Sequence, residues 1–278
     1  MCQVSFIIIS YNQAKFIEKT IRSILNQKVN SCEIIVIDGG STDNTLEVLE
    51  KFGSQINTVI SEPDKGQVDA LIKGLNRAKG EWIAWQNSDD IYVQDCVNKL
   101  LKLAELYPNS DVIYGDVLII DELDNIKAVA YSSPFYFKSH AYNTMGIFNQ
   151  SLIIRNSSLY KLEYPRLDLH YAFDFEWFLR WGLKNVNFQY VPNAFGGFRV
   201  HSASKTFSKS KQFAQEIETV LAEYNLHPIS QLEMTTLKCK RMLNHLRYGR
   251  YEYIINGFAR TLGLTSNPYS KKSLYGLN

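Results

Sequence analysis

Apolar residues fall in short blocks through the first 115 residues, and the blocks alternate in period. Val4 to Ser10 is a continuous apolar run that ends on a polar residue. Lys15 to Asn26 spaces Phe16, Ile17, Ile21, Ile24 and Leu25 along one helical face. Glu33 to Asp38 is continuous again and is broken by Gly39-Gly40-Ser41. Ser41-Thr42-Asp43 then starts a helix, which Leu46, Val48 and Leu49 carry toward Gly53. The same alternation predicts a strand at Asn57 to Ser61 and a helix at Gln67 to Ala78, with Gly80 as its stop. It continues with a strand at Glu81 to Gln86, a helix at Asp95 to Tyr107 and a strand at Asp111 to Tyr114. Short continuous runs are strands buried on both faces. Their alternation with helices predicts an α/β fold built on a doubly wound, mainly parallel sheet.

Such a sheet gathers its chemistry on one edge, because ligands sit outside the carboxyl ends of the strands. Four strand exits are polar: Ser10-Tyr11-Asn12, Asp38-Gly39-Gly40, Glu62-Pro63-Asp64 and Asn87-Ser88-Asp89-Asp90. Asn, Ser and Asp are ordinary turn formers, but two adjacent carboxylates exceed what a turn needs. Acidic exits converging on one rim suit a hard cation, Mn²⁺ or Mg²⁺, which takes a few protein oxygens and leaves positions for phosphate oxygens. The competing reading is that Asp89-Asp90 only caps the segment that follows. No Gly-x-Gly-x-x-Gly follows the first strand, which argues against a dinucleotide dehydrogenase.

The second half is less regular. Residues 115 to 150 mix short strands with loops carrying Tyr131, Phe135, Tyr136, Phe137 and Tyr142. Tyr136, Tyr142 and Phe148 either line a cleft or pack the loops. Asp174 to Leu183 reads as a helix that Asp174 would cap. Helical patterns at 208–225 and 230–247 follow, then Tyr251 to Leu264. There Lys238, Lys240, Arg241, Arg247 and Arg250 interleave with Met242, Leu243, Leu246 and Tyr248. That basic amphipathic pattern fits either an anionic membrane surface or a helix packed on the body of the protein.

Composition adds bounds. With 278 residues, 45% of them hydrophobic, the chain can build one large domain or a domain with an appendage. A formal net charge of +2 gives no reason to expect a nucleic-acid partner. No run has the apolar length of a membrane span, and the N-terminal run lacks a basic start and a cleavage site. Four scattered cysteines without a Cys-x-x-Cys pair fit a reduced, cytoplasmic chain.

Five segments taken in order are more specific than any one of them: "SFIIISYNQAKFIEKTIRSILNQ", "EIIVIDGGSTDNTLEVL", "SEPDKGQVDALIKGLNRAKGEWIAWQNSDD", "FDFEWFLRW" and "FRVHSASKT". Through them the chain resembles a family 2 glycosyltransferase of GT-A fold. The resemblance implies a catalytic domain at 1–205, divided into a nucleotide-sugar half (1–115) and an acceptor half (116–205); the helical patterns beyond it read as a separate appendage at 206–278. The resemblance also implies that Ser10, Tyr11 and Asn12 border a nucleotide base and that Asp38 accepts from the imide of uracil or thymine. The donor would then be a UDP- or dTDP-sugar. Asp64 matches a nucleotide-side position, Asn87-Ser88-Asp89 matches the DXD motif with its first Asp replaced, and Asp90 orders the loop or touches the sugar. Asp89 would be the principal metal ligand. His201 would meet the metal or the diphosphate from a loop at Val200 to Phe207 that closes over the donor, and Arg199 or Lys205 would add positive charge. Ser202, Ser204 and Lys205 lie in that loop. Asp174 matches the catalytic base. The Glu that precedes it in the family is Phe173 here, so Glu176 stays open as an alternative base. The implied reaction is an inverting, metal-dependent transfer to a glycan or lipid-linked acceptor in surface polysaccharide synthesis, on the cytoplasmic side of a membrane. Two rivals stand beside it: a non-catalytic sugar-nucleotide or glycan-binding module on the same scaffold, and a nucleotidyltransferase.

Overall fold

The computed structural model describes residues 2–29, 31–142, 146–201, 210–251, 253–255 and 257. The predicted alternation is present. It runs β1 (Val4–Ser10), α1 (Ile17–Leu25), β2 (Cys32–Asp38), α2 (Thr45–Glu50), β3 (Thr58–Ser61), α3 (Gln67–Leu75), β4 (Trp82–Asn87), β5 (Ile91–Tyr92) and α4 (Cys96–Leu106). The second half adds β6 (Val112–Ile120), β7 (Ile126–Ala130), α5 (Phe137–Ala141), β8 (Leu152–Arg155), α6 (Leu159–Leu162), α7 (Phe173–Leu183) and β9 (Phe188–Arg199). It closes with α8 (Ser210–Glu223) and α9 (Gln231–Arg247).

All described strands join one sheet in the order β3-β2-β1-β4-β8-β6-β9-β5, with β7 paired to β6. β3, β2, β1 and β4 are mutually parallel. The fifth predicted strand does not simply extend this series. β6 runs on to Ile120, and β8 is inserted between β4 and β6, antiparallel to both. The run that forms β8 is four residues long, too short to stand out among loops. β9 pairs parallel with β6, so the sheet remains mainly parallel, and β5 and β7 add antiparallel edges.

Alternation within each strand builds two cores. Ile7, Ile9, Ile35, Ile37, Ile83 and Trp85 face α3 and α7. Phe6, Ile8, Ile34, Val36, Trp82 and Ala84 face α1 and α4. Burial on both faces explains why these strands read as unbroken apolar runs. Gly80 is not a helix stop, since α3 already ends at Leu75. Instead a Cβ at Gly80 would come within 2.5 Å of the Ser5 backbone nitrogen, so Gly80 lets the chain pass close to β1.

The C-terminal helices are built onto this body. Val220 of α8 is part of the core under α7. Tyr142 donates from its hydroxyl to His227 O (2.9 Å), and Lys240 lies over the Tyr136 ring (3.4 Å). Those aromatics therefore hold the tail. Phe148 packs against a small cluster with Val117 and Ile119. Arg250, read from sequence as part of a basic face, is buried. It donates to the Asp116 carboxylate of β6 and to Ser132 O, with Tyr131, Tyr190 and Tyr248 around its guanidinium. Asp116 also accepts from the Tyr190 hydroxyl and the Ser132 N–H, both at 2.9 Å. Burial pushes the Asp116 carboxyl up to about 6, against the pull of Arg250.

Removing one partner of a buried pair strands the other. Arg250→Ala is predicted to cost about 3–5 kcal/mol in urea unfolding. Adding Asp116→Asn to that variant should recover part of the loss, because the stranded charge is gone.

Candidate active site

Parallel register brings the polar exits together. Ser10 stands opposite Asp38, Asp38 opposite Ser61, and Ile9 opposite Asn87. The chain then leaves the sheet on one rim, stitched by Gly39 N–H to Ser10 O (2.9 Å), Ser88 N–H to Ile9 O (3.2 Å) and Glu62 N–H to Asp38 O (3.0 Å).

Asp38 organises the rim. Its buried carboxylate accepts from Gly40 N–H (3.2 Å), Ser41 N–H (2.8 Å), the Ser41 hydroxyl and the Ser61 hydroxyl (2.7 Å). A carboxylate has about four acceptor sites, so a base imide could bind only by displacing one of these donors. Asn12 is held with φ 52°, and its side-chain oxygen accepts from Thr42 N–H (2.8 Å). That bond fastens the exit of β1 to the exit of β2. Tyr11 is 59% exposed on the rim. The Ser10 hydroxyl is buried there with no hydrogen-bond partner among the described residues. Asp64 accepts from Gly66 N–H (2.8 Å), and Gly39 leaves it room, since a Cβ on Gly39 would sit 2.5 Å from its oxygen.

The paired carboxylates divide. Asp90 is fully buried: one oxygen accepts from Arg199 N–H (2.8 Å), the other from the Gln150 amide (2.8 Å) and the Asn87 amide (3.1 Å). Burial first, and then the charge of Asp89, push the Asp90 carboxyl well above the ordinary range. Thr20 Oγ1 lies 2.9 Å from Ser88 O and 2.7 Å from Asp90 O, which fixes the turn from below. Asp89 is left facing the rim, its side chain 21% exposed, with one oxygen 2.9 Å from His201 Nε2.

Burial gives two of the expected donor residues structural tasks. Asp90 orders the loop, one of the two tasks that the resemblance implied for it. Arg199 is also fully buried, its guanidinium donating to Asp89 O (2.6 Å) and Asp121 O (2.9 Å) and paired with Asp124. Both residues brace the loop that carries Asp89. Asn87 spends its amide on Asp90, while Ser88 is buried with its backbone tied into the rim.

The residues fit a divalent cation in a limited sense. No group of three or more metal-binding side chains occurs among the described residues, so a cation would rest on Asp89 and His201 and complete its shell with ligand oxygens. Ser202, Ser204, Lys205 and most of the expected closing loop lie outside the described residues.

Asp174 is not the N-cap, which is Ala172; it lies in the first turn of α7 and accepts from the Phe175 N–H (2.8 Å). The turn that leads into α7 is held from α8: Glu216 accepts from the N–H groups of His170 (3.0 Å), Tyr171 (2.8 Å) and Ala172 (2.8 Å). Gln67 at the start of α3 donates to His170 O (2.8 Å), and Phe173 lies 5.6 Å from Trp85 of β4. Asp174 is thereby carried to the rim that α3 starts from. Burial, with Glu216 adding to it, raises its carboxyl to about 6. Glu176 is excluded as the alternative base: it is buried, paired with Arg180 at 2.8 Å and accepting from the Tyr224 hydroxyl at 2.6 Å. Sequence reasoning missed Gln150, Thr20 and Glu216. Each acts on a distant segment and carries no local signal.

Comparison with known proteins agrees with this architecture. The sequence profile described as Glycosyl transferase family 2 matches residues 5–162. A Mycobacterium bovis "PGL/p-HBAD biosynthesis glycosyltransferase" is 27% identical over 161 residues, 52% of this chain and 62% of the relative. Across the curated relatives that lead the matches, the chain spans 40% to 62% of their length. S. aureus TarS 1–349, solved in complex with UDP-GlcNAc, superposes with a TM-score of 0.64 at 18% identity, over 88% of this chain and 73% of that one. The mannosyltransferase PcManGT of Pyrobaculum calidifontis, solved with GDP-Man and Mn²⁺, gives 0.60 at 17% identity, over 96% and 76%. These two likenesses establish the fold, which is of the GT-A type expected.

The shifted carboxyl of Asp174 gives a signed test. It titrates at about 6 in the fold against an ordinary 3.8, so the fold favours its protonated form. The stability this contributes is complete below pH 3.8 and is lost as pH rises through about 6. Asp174→Asn, neutral throughout, is predicted to match the parent near pH 4. At pH 7 it should be more stable, by up to about 3 kcal/mol in urea unfolding.

Proposed function

The chain belongs to glycosyl transferase family 2, and from that premise we propose that it moves a sugar from a UDP- or dTDP-sugar to a hydroxyl of a glycan or lipid-linked acceptor, with inversion. The observation that carries the reading is the division of labour on one rim. Asp89 and His201 stand together at the exit of β4, and Asp174 is brought to the same edge at the start of α7. The GT-A neighbours supply a parallel, one with UDP-GlcNAc and one with GDP-Man and Mn²⁺.

Ser10, Tyr11 and Asn12 border the base, and the buried Ser10 hydroxyl gains its missing partner there. Asp38 and Asp64 hold the backbone that lines the nucleotide. Asp89 and His201 would hold Mn²⁺ or Mg²⁺, which neutralises charge on the departing diphosphate. Asp174 takes the proton of the acceptor hydroxyl as its oxygen bonds to the anomeric carbon. The bond from that carbon to the diphosphate breaks, and the nucleoside diphosphate leaves. At pH 7 a carboxyl that titrates at about 6 is mostly ionised, as a base must be. Among the described residues no helix is long and apolar enough to cross a membrane. The proposed setting is surface polysaccharide synthesis on the cytoplasmic side of a membrane.

A panel of UDP-, dTDP- and GDP-sugars, with Mn²⁺, Mg²⁺ or EDTA, tests the reaction class. Nucleoside diphosphate release from a uridine or thymidine donor, abolished by EDTA, is expected; pyrophosphate release would overturn the reading. With the donor found, Asp174→Asn should bind it normally and lose about 10²–10⁴-fold in transfer. The parent's transfer rate should fall as pH drops through about 6. Retained transfer in the variant would move the base elsewhere.

A further inference from the structure

Helix α9 is apolar on two opposite faces. One face packs: Leu237 and His245 are buried, and Tyr248 meets Tyr190 with ring centroids 5.5 Å apart. The other carries Leu232, Cys239, Leu243 and Leu246, which recur at helical spacing along the centre of the solvent side. Leu232 is 77% exposed, Leu243 61% and Leu246 38%, and Cys239 is exposed as well. A solvent-facing helix side is ordinarily polar at its centre. Beyond Gly249, Tyr251 and Ile255 stand one turn apart, 62% and 64% exposed. They add exposed apolar surface just past the helix end.

The borders of this stripe are cationic. By helical position Arg247 flanks one side and Lys238 the other, both exposed. The one acidic residue of the helix, Glu233, is engaged in a capping box with Ser230. An apolar centre with Lys and Arg on both borders matches a helix lying in the headgroup boundary, where the stems cover apolar surface and the charges reach lipid phosphates. The same charges oppose a second copy of α9 laid on the stripe, since like borders would meet.

We propose that the solvent face of α9, with Tyr251 and Ile255, docks the protein on an anionic membrane surface. The inference deepens the reading of a lipid-linked acceptor and rests on it for its purpose. Its evidence is the surface itself. Docking would hold the catalytic rim where a membrane-bound acceptor is presented.

The test is vesicle binding by the full chain, read without turnover. Vesicles containing phosphatidylglycerol should bind on the order of thirty-fold more tightly than phosphatidylcholine alone, from two cations near the surface. Added salt should weaken the binding. Leu243→Asp with Leu246→Asp should lower it at least about ten-fold. Lys238→Glu with Arg247→Glu should remove the preference for anionic lipid. Donor release without vesicles should be unchanged in both variants, which confirms their fold and separates this test from that of the reaction. Absence of vesicle binding, equal binding to neutral vesicles, or a dimer in light scattering that Leu243→Asp dissociates would each overturn the proposal.

Discussion

The site is organised around a carboxylate that water does not reach. Asp90 sits at the exit of β4 with both oxygens occupied, by the backbone of Arg199, the amide of Gln150 and the amide of Asn87. Burying such a group without partners would cost several kcal/mol, on the order of what one domain has to spare. With them it becomes a fastening point for three separate segments. Turning Asp90 inward is what turns Asp89 outward, and the end of β9 that bonds Asp90 also delivers His201 to Asp89. The adjacent acids are thus two parts with different tasks: one fixes the turn, the other faces the rim.

The C-terminal helices are part of the same arrangement. Glu216 of α8 is the acceptor for three successive N–H groups, His170 to Ala172, in the turn that leads into α7 and Asp174. Arg250 reaches into the sheet to Asp116, so the segment after α9 is tied to β6. A tail that composition alone would assign to the surface therefore contributes both a brace for the turn before α7 and a buried ion pair. Its solvent side is left with an apolar stripe for which the protein itself provides no cover among the described residues.

The first half was legible in the sequence because its signals are local. Continuous runs such as Phe6 to Ile9 can only be strands buried on both faces, and parallel register then aligns their polar ends without further information. The family resemblance added roles for individual residues, and the fold it implied is the one found. What could not be read was set by partners far away in the chain. Arg199 and Asp90 look like ligand contacts until their burial is known, and Asp38 looks free until Ser61 is seen beside it. Asp174 resembled an N-cap because Asp is good at capping, but it lies past the N-cap, within the first turn, and accepts from the Phe175 N–H. β8 escaped notice because four residues carry no period.

The central claim is that the donor diphosphate lies on the rim between Asp89 and the β1–β2 exits, with Asp174 across from it. The most direct measurement is a crystal structure with a uridine or thymidine diphosphate and Mn²⁺. The account predicts the cation on Asp89 and His201, the base beside Tyr11 and Asn12, and the Ser10 hydroxyl in a hydrogen bond. On the opposite edge of the sheet lies a cavity of about 730 Å³ bordered by Tyr107, Asn109, Phe135 and Phe188. Nucleotide bound there, with the rim left empty, would contradict the account.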